Sequence, residues 1–266
     1  MGTSATPSGI AVEERGAGPA LLMLHGHPFD RSMWGPQLDG LSTDFRVVAP
    51  DLPGYGASPA GSDPMTMRAF AGAAVEVLDV LALDTAVAVG LSMGGLVAME
   101  LGLHHPDRIA GLVLAATTAA PVTDQERDRR RTAAALAEER GMLPVAAAMV
   151  ADLFGPEAGR DRDLVLRVFA MMLAAPPGGV AAALRGRLER PPYEQLLGSL
   201  PMPTLVVAGE HDAYSPEPVI QQLLAALTAP ELVQMHRSGH LPNLEEPQGF
   251  NEAVRDFATR VFAGDA

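Results

Sequence analysis

The five residues Gly90-Leu91-Ser92-Met93-Gly94 have the types and spacing of a nucleophile at a sharp turn. An apolar β-branched run at 87–89 precedes them and an apolar helical pattern begins directly after, so the stretch reads as strand, turn and helix with a serine at the apex. A side chain at such an apex is held in strained backbone angles. Any Cβ at the flanking positions would meet the strand or the helix, which is why glycine is needed at both. The start of the helix presents unpaired N–H groups and a positive partial charge to an oxyanion forming beside the serine. Glycine supplies 27 of the 266 residues, so composition alone would produce such a string about one time in ten. The weight therefore falls on its placement and on the residues further along the chain.

A serine hydroxyl is a poor nucleophile until a base takes its proton, and the base needs a third group to fix its tautomer. In a doubly wound sheet such groups come from distant parts of the chain and meet at the carboxyl ends of strands. Asp212 lies just past a strand-like run at 204–208, and His240 lies in a glycine-containing loop just past another at 232–235. The order serine, acid, histidine is the one that belongs to this kind of sheet. Glu210, two residues earlier, competes with Asp212, which is better placed beyond the strand end to reach an imidazole. Among the other histidines, His25 and His27 come too early to be the base. His104 and His105 stand at a helix end, where the last carbonyls are the expected partners. His211 adjoins the acid, and His236 falls on the last strand. One oxyanion donor is expected to be the N–H of Met93, the other the N–H of His27, in the loop after a strand at 20–24, with His25 bracing that loop. The histidines show no metal-ligand spacing, so neither a metal nor an organic cofactor is expected.

Those positions require a particular scaffold. Apolar strand-like runs at 10–13, 20–24, 45–49, 87–89 and 109–115 alternate with helical patterns, notably 67–83 and 96–105. This is the rhythm of an α/β fold, a doubly wound, mostly parallel sheet covered on both faces. From 123 to about 197 the strand signal vanishes and helical segments occupy 124–140, 144–153, 160–174 and 179–189. The expected organisation is a core formed by 1–117 and 201–266 with a helical cap at 118–200. The basic run 127–131 reads as a solvated helix face.

A formal charge of −13 argues against a nucleic-acid partner, which would need a basic face. The absence of cysteine excludes disulfides and thiolate chemistry. No secretory leader and no run of about 18 apolar residues is evident. A cytoplasmic protein acting on a small molecule, without nucleic-acid or membrane partners, is the expectation.

With these motifs in view, the sequence resembles the α/β-hydrolase family, in its serine-nucleophile branch. The segments HGHPFDRSMWGPQ, DLPGYGAS, VGLSMGG, PTLVVAGEHD and SGHLPNLEEP stand where that family places its oxyanion loop, a strand-end loop, its nucleophile, its acid and its base. Within the family it looks most like small bacterial esterases, enol-lactonases and cofactor-free haloperoxidase-like enzymes. The resemblance implies Ser92, Asp212 and His240 as a triad, His27 and Met93 as oxyanion donors, and hydrolysis of a carboxylic ester or lactone through an acyl-enzyme. It leaves open a carbon–carbon bond hydrolase or lyase with the same triad, or a non-catalytic ligand-binding protein. A serine at position 92 argues against dehalogenases and epoxide hydrolases of this fold, which carry aspartate there. His27 stands where a bulky apolar residue is frequent, implying a more polar acyl pocket. Phe29 and Trp34 are candidate substrate contacts. Met142, Met149, Met171 and Met172 are expected mostly to fill gaps between cap helices. Asp30 and Arg31 are candidates for local pairs that hold the oxyanion loop.

Overall fold

The computed structural model describes residues 2–265. Its strands are β1 (Gly2–Ala5), β2 (Ala11–Arg15), β3 (Ala20–Leu24), β4 (Arg46–Pro50), β5 (Ala86–Leu91), β6 (Ile109–Ala115), β7 (Thr204–Gly209) and β8 (Glu231–Met235). They form one sheet in the order β1-β2-β4-β3-β5-β6-β7-β8. β1 and β2 are antiparallel and the remaining pairs parallel, apart from the antiparallel join of β2 to β4. The interior strands β3, β5 and β7 are buried along their whole length because they read ALLML, AVAVGL and TLVVAG, with almost nothing polar to solvate.

Side chains alternate between two apolar layers, as a period of two requires. Leu22, Leu24, Ala88, Leu114 and Val206 face the layer that holds α2 (Met67–Val80) and α3 (Met93–His104). Leu21, Met23, Val87, Val89, Val113 and Val207 face the layer that holds α1 (Gly35–Leu41) and α10 (Pro247–Ala263). α3 is buried through nearly its whole circumference, from Met93 to Gly102. That suits a helix with hardly a polar face.

Between β6 and β7 the described chain has no strand. It forms α4 (Asp124–Arg140), α5 (Met142–Met149), α6 (Arg162–Ala174), α7 (Pro177–Gly186) and short 3-10 turns. α4 begins with a capping box, in which the Thr123 hydroxyl accepts from the Glu126 N–H while the Glu126 carboxylate accepts from the Thr123 N–H. α8 (Glu217–Ala226) joins β7 to β8, and the short α9 (Pro242–Glu245) comes after the last strand.

Two expectations need correction. The run at 10–13, expected as the first strand and an edge of the sheet, is preceded by β1, which takes that edge and is not marked in the sequence because Gly-Thr-Ser-Ala carries no apolar alternation. His236 lies just beyond β8, not on it. Among the described residues no single helix is long and apolar enough to cross a membrane.

Chain direction reverses its spread at β3, which has β4 on one side and β5 on the other. The loops leaving β3 and β5 therefore diverge and open a crevice at their carboxyl ends, the place where ligands bind in open α/β sheets. Those are the loops of His27 and Ser92.

Candidate active site

Ser92 leaves β5 and precedes α3 with φ 54° and ψ −110°, a left-handed backbone that a serine adopts only when its surroundings force it. The surroundings do force it. A Cβ on Gly90 would lie 2.2 Å from the Gly94 carbonyl oxygen, and one on Gly94 would lie 2.0 Å from that of Leu24. The Ser92 N–H donates to the Ala115 carbonyl at 2.9 Å, and its own carbonyl accepts from the Gly95 N–H at 3.0 Å and the Thr117 hydroxyl at 2.8 Å. Its main chain is thus anchored to β6 and to the first turn of α3, leaving the hydroxyl as the group presented to the crevice.

Asp212 comes after β7 and is 3% exposed; His240 comes after β8 and is 5% exposed. The imidazole Nδ1 lies 2.9 Å from both carboxylate oxygens. The Asp212 carboxylate also accepts from the Tyr214 N–H at 2.8 Å, the Ser215 N–H at 3.2 Å and, by a short bond, the Ser215 hydroxyl. Burial pushes the carboxyl up, but the His240 charge and these hydrogen bonds outweigh it and hold Asp212 below the ordinary value of 3.8. An acceptor at Nδ1 makes that nitrogen the protonated one, which leaves Nε2 as the basic atom. Tyr214 lies over the imidazole with ring centroids 4.8 Å apart. The competing acid, Glu210, instead meets His236 at the surface, 2.7 Å away. Among the described residues no hydrogen bond joins Ser92 to His240; contacts of this kind commonly close only around substrate.

The base loop is held from behind by Glu245, which lies in the SGHLPNLEEP segment but is given no role by it. Its carboxylate accepts from the N–H groups of Gly239 and Leu241, each at 3.0 Å, and from the Gly155 N–H at 2.7 Å. The His240 N–H in turn donates to the Leu153 carbonyl at 2.8 Å. Burial raises the Glu245 carboxyl above its ordinary value, against the opposing pull of those three N–H groups and of His240.

On the other side of the crevice, His25 is fully buried and donates from Nδ1 to the Gly26 carbonyl at 2.9 Å, while Nε2 accepts from the Leu52 N–H at 2.9 Å. Both nitrogens are used in bracing the loop, as expected. His27 Nδ1 and the Tyr55 phenol share a 2.7 Å hydrogen bond, and that phenol also reaches the Met93 sulfur at 3.8 Å. Burial above all, then the charges of Arg187 and Arg130, take the His27 imidazole well below 6.5, so it is neutral at pH 7. Among the described residues the N–H groups of His27 and Met93 donate to no carbonyl outside regular helices and strands.

Asp30 and Arg31 each find a partner beside the oxyanion loop. Asp30 accepts from the Ser32 N–H at 2.8 Å, capping the 3-10 turn Arg31–Trp34, and Arg31 forms its ion pair with the fully buried Asp51. Phe29 is 2% exposed and flanks Gly26. Trp34 is fully buried, its ring 6.1 Å from that of Phe250 in α10. His104 faces Glu100, 3.3 Å away on its own helix, and not the last carbonyls. Among the described residues no group of three or more His, Asp and Glu side chains is arranged to hold a metal ion.

A family model for the alpha/beta hydrolase fold matches residues 19–247. The chain belongs to the α/β-hydrolase family. Within that family it is 28% identical over 236 residues to 3-oxoadipate enol-lactonase 2 of Acinetobacter baylyi, covering 89% of this chain and 87% of that protein. It is 30% identical to the pimeloyl-acyl-carrier-protein methyl ester esterase of Chromobacterium violaceum, over 93% of this chain and 97% of the other. A thermophilic esterase from Thermogutta terrifontis has a similar α/β-hydrolase structure, with a TM-score of 0.92, 36% identity and 97% of each chain covered.

Proposed function

We propose that this α/β-hydrolase cleaves a carboxylic ester or lactone through a Ser92–His240–Asp212 triad. Ser92 attacks the carbonyl carbon while His240 Nε2 accepts the hydroxyl proton, and Asp212 steadies the imidazolium that forms. The negative charge gathering on the former carbonyl oxygen is taken up by the N–H groups of His27 and Met93, the second helped by the start of α3. His240 returns the proton to the departing oxygen. A water then attacks the acyl-enzyme, gives its proton to His240 and restores the serine. With a lactone both products stay in one molecule, a hydroxy acid or its keto form.

The observation that carries this reading is the forced backbone of Ser92 at the same sheet edge as an imidazole whose other nitrogen is already bound by a buried carboxylate. The esterase and enol-lactonase names of its relatives support the same reaction class. In this reading residues 118–200 act as a cap over the crevice, Phe29 forms part of the acyl wall and Trp34 supports that wall from behind.

The test is turnover of p-nitrophenyl butyrate and of a lactone panel by the wild type and by Ser92→Ala. The variant is expected to lose about a thousandfold or more in kcat. A fluorophosphonate should label Ser92 alone, as read by peptide mass spectrometry. Equal turnover by the two proteins, or labelling at another residue, would remove the triad from this proposal.

A further inference from the structure

Three arginines crowd the junction of the helical insertion with the oxyanion side of the crevice: Arg130 on α4, Arg187 just past α7 and Arg190 three residues on. Among the described residues a single carboxylate is hydrogen-bonded to any of them. Glu126 accepts from Arg130 Nη2 at 3.0 Å. Arg190 is 8% exposed, and its one hydrogen bond runs from Nη2 to the Ala120 carbonyl at 2.7 Å. Among the described residues seven buried side-chain nitrogen or oxygen atoms lack a partner, and four of them gather here: Arg187 Nε, Arg190 Nε and Nη1, and His27 Nε2. This crowding of positive charge occurs in a chain whose formal charge is −13.

The charges of Arg187 and Arg130 reach the His27 imidazole on the oxyanion side of the crevice, while Arg190 lines a cavity with Glu100, His104 and Glu189. α7 approaches the 51–58 loop so closely that a Cβ on Gly179 would fall 1.9 Å from the Gly54 carbonyl oxygen, and Tyr55 is the next residue. Tyr55 then bridges to His27 and Met93, the two oxyanion residues. Burial and the neighbouring charges of Arg130 and Arg190 pull the Arg187 guanidinium down to about 9, and burial and Arg130 pull Arg190 down to about 10. Like charges in a poorly solvated crease destabilise one another, and a bound anion relieves both the repulsion and the unpaired donors. A neutral substrate would leave that cost in place.

We infer that Arg187, backed by Arg130 and Arg190, forms an anion subsite, and that the natural ester or lactone bears a carboxylate on the chain that runs from its reacting carbonyl toward α7. This rests on the hydrolase reading above, which supplies the reacting carbonyl. Guanidinium groups suit the task because their planar N–H forks match a carboxylate edge.

Binding to the Ser92→Ala protein separates the two ideas, since it needs no turnover. Monomethyl succinate, glutarate and adipate are titrated by calorimetry against their dimethyl counterparts. At least one monoester should bind about tenfold or more tighter than its neutral diester, and raising the salt should weaken it. Adding Arg187→Met to the Ser92→Ala protein should abolish the preference, while Arg187→Lys should retain part of it. The lysine variant guards against a merely misfolded methionine variant, and circular dichroism reports folding for both. Equal binding of monoester and diester across the series would overturn the subsite, as would a preference that survives Arg187→Met. Wild-type turnover of neutral p-nitrophenyl butyrate is read separately, so failure of the hydrolase reading appears there and failure of the subsite appears in the titration.

Discussion

Asp212 and His240 lie where the chain itself partners the buried contact between them: Nδ1 has a carboxylate, and the carboxylate has an imidazole, a hydroxyl and two N–H groups. Arg130, Arg187 and Arg190 lie where the helical insertion meets the oxyanion side, with three positive charges, one hydrogen-bonded carboxylate and three unpartnered nitrogens. The contrast separates two kinds of work. A group that must hold one geometry through a reaction gains from partners supplied by the chain itself, because nothing then has to reorganise. A group that must recognise a visitor keeps its bonding capacity unspent until the visitor supplies it, at a cost to the empty fold.

The paired region should fail hardest when altered. Asp212→Asn keeps the shape but permits the wrong imidazole tautomer, and kcat on p-nitrophenyl butyrate is expected to fall by about 10³–10⁴. A fall of less than about tenfold would mean that the pair is structural and that the two regions do not divide the work in this way.

Gly94→Ala ranks second. The added methyl would meet the Leu24 carbonyl at 2.0 Å, and urea denaturation should show a loss of about 1–3 kcal/mol. An unchanged midpoint would show that the turn yields freely and that its strain does not hold Ser92.

The unpaired region should show itself through pH. His27 is buried and its imidazole is held well below 6.5, so in acid the unfolded chain takes up a proton that the folded chain refuses. Its contribution to stability is present above 6.5 and is lost as pH falls toward the folded value, by at most about 1.4 kcal/mol for each pH unit. In His27→Phe that acid-side slope should disappear from the melting temperature measured between pH 7 and pH 5. A slope identical to the wild type would assign it to other groups.

Arg185 offers the smallest effect and the sharpest control. It lies on α7 two residues before Arg187, but is half-exposed and pairs with both Asp63 and Glu138. Arg185→Ala should cost less than about 1 kcal/mol. It should also leave the monoester-to-diester binding ratio of the Ser92→Ala protein where it was, since this guanidinium is already spoken for by the chain.

How far these features can be read from the sequence depends on whether local chemistry alone decides them. β3 and β6 fall at the expected residues because an unbroken apolar run bounded by glycine, proline or charge has only one way to be buried. Ser92, Asp212 and His240 are legible because turn glycines and strand ends mark them without knowledge of packing. The choice between Asp212 and Glu210 is a matter of reach, and the surface pairing of Glu210 with His236 agrees with it. Arg130 departs from expectation. It falls in a run of charges that looks like a solvated face, yet its side chain is 11% exposed because α4 turns that edge toward α7. Which residues of a polar helix face inward depends on the helix packed against it, and that partner is more than forty residues away in the chain. For Glu245 this holds in part: its partners Gly239 and Leu241 lie beside it in the SGHLPNLEEP segment, but the third, Gly155, comes from the helical insertion and has no local signature.

That glutamate has a mechanical consequence. One of its three bonds goes to Gly155 in the helical insertion and two go to the loop that carries His240, while Leu153 accepts from the histidine's own N–H. Lifting the 150–155 segment away from the core must therefore either break charge-assisted bonds to a partly buried carboxylate or drag the imidazole with it. The opening through which a reactant would enter and the alignment of the residue that would move its proton are geared to each other, so the enzyme is at its most aligned when it is shut.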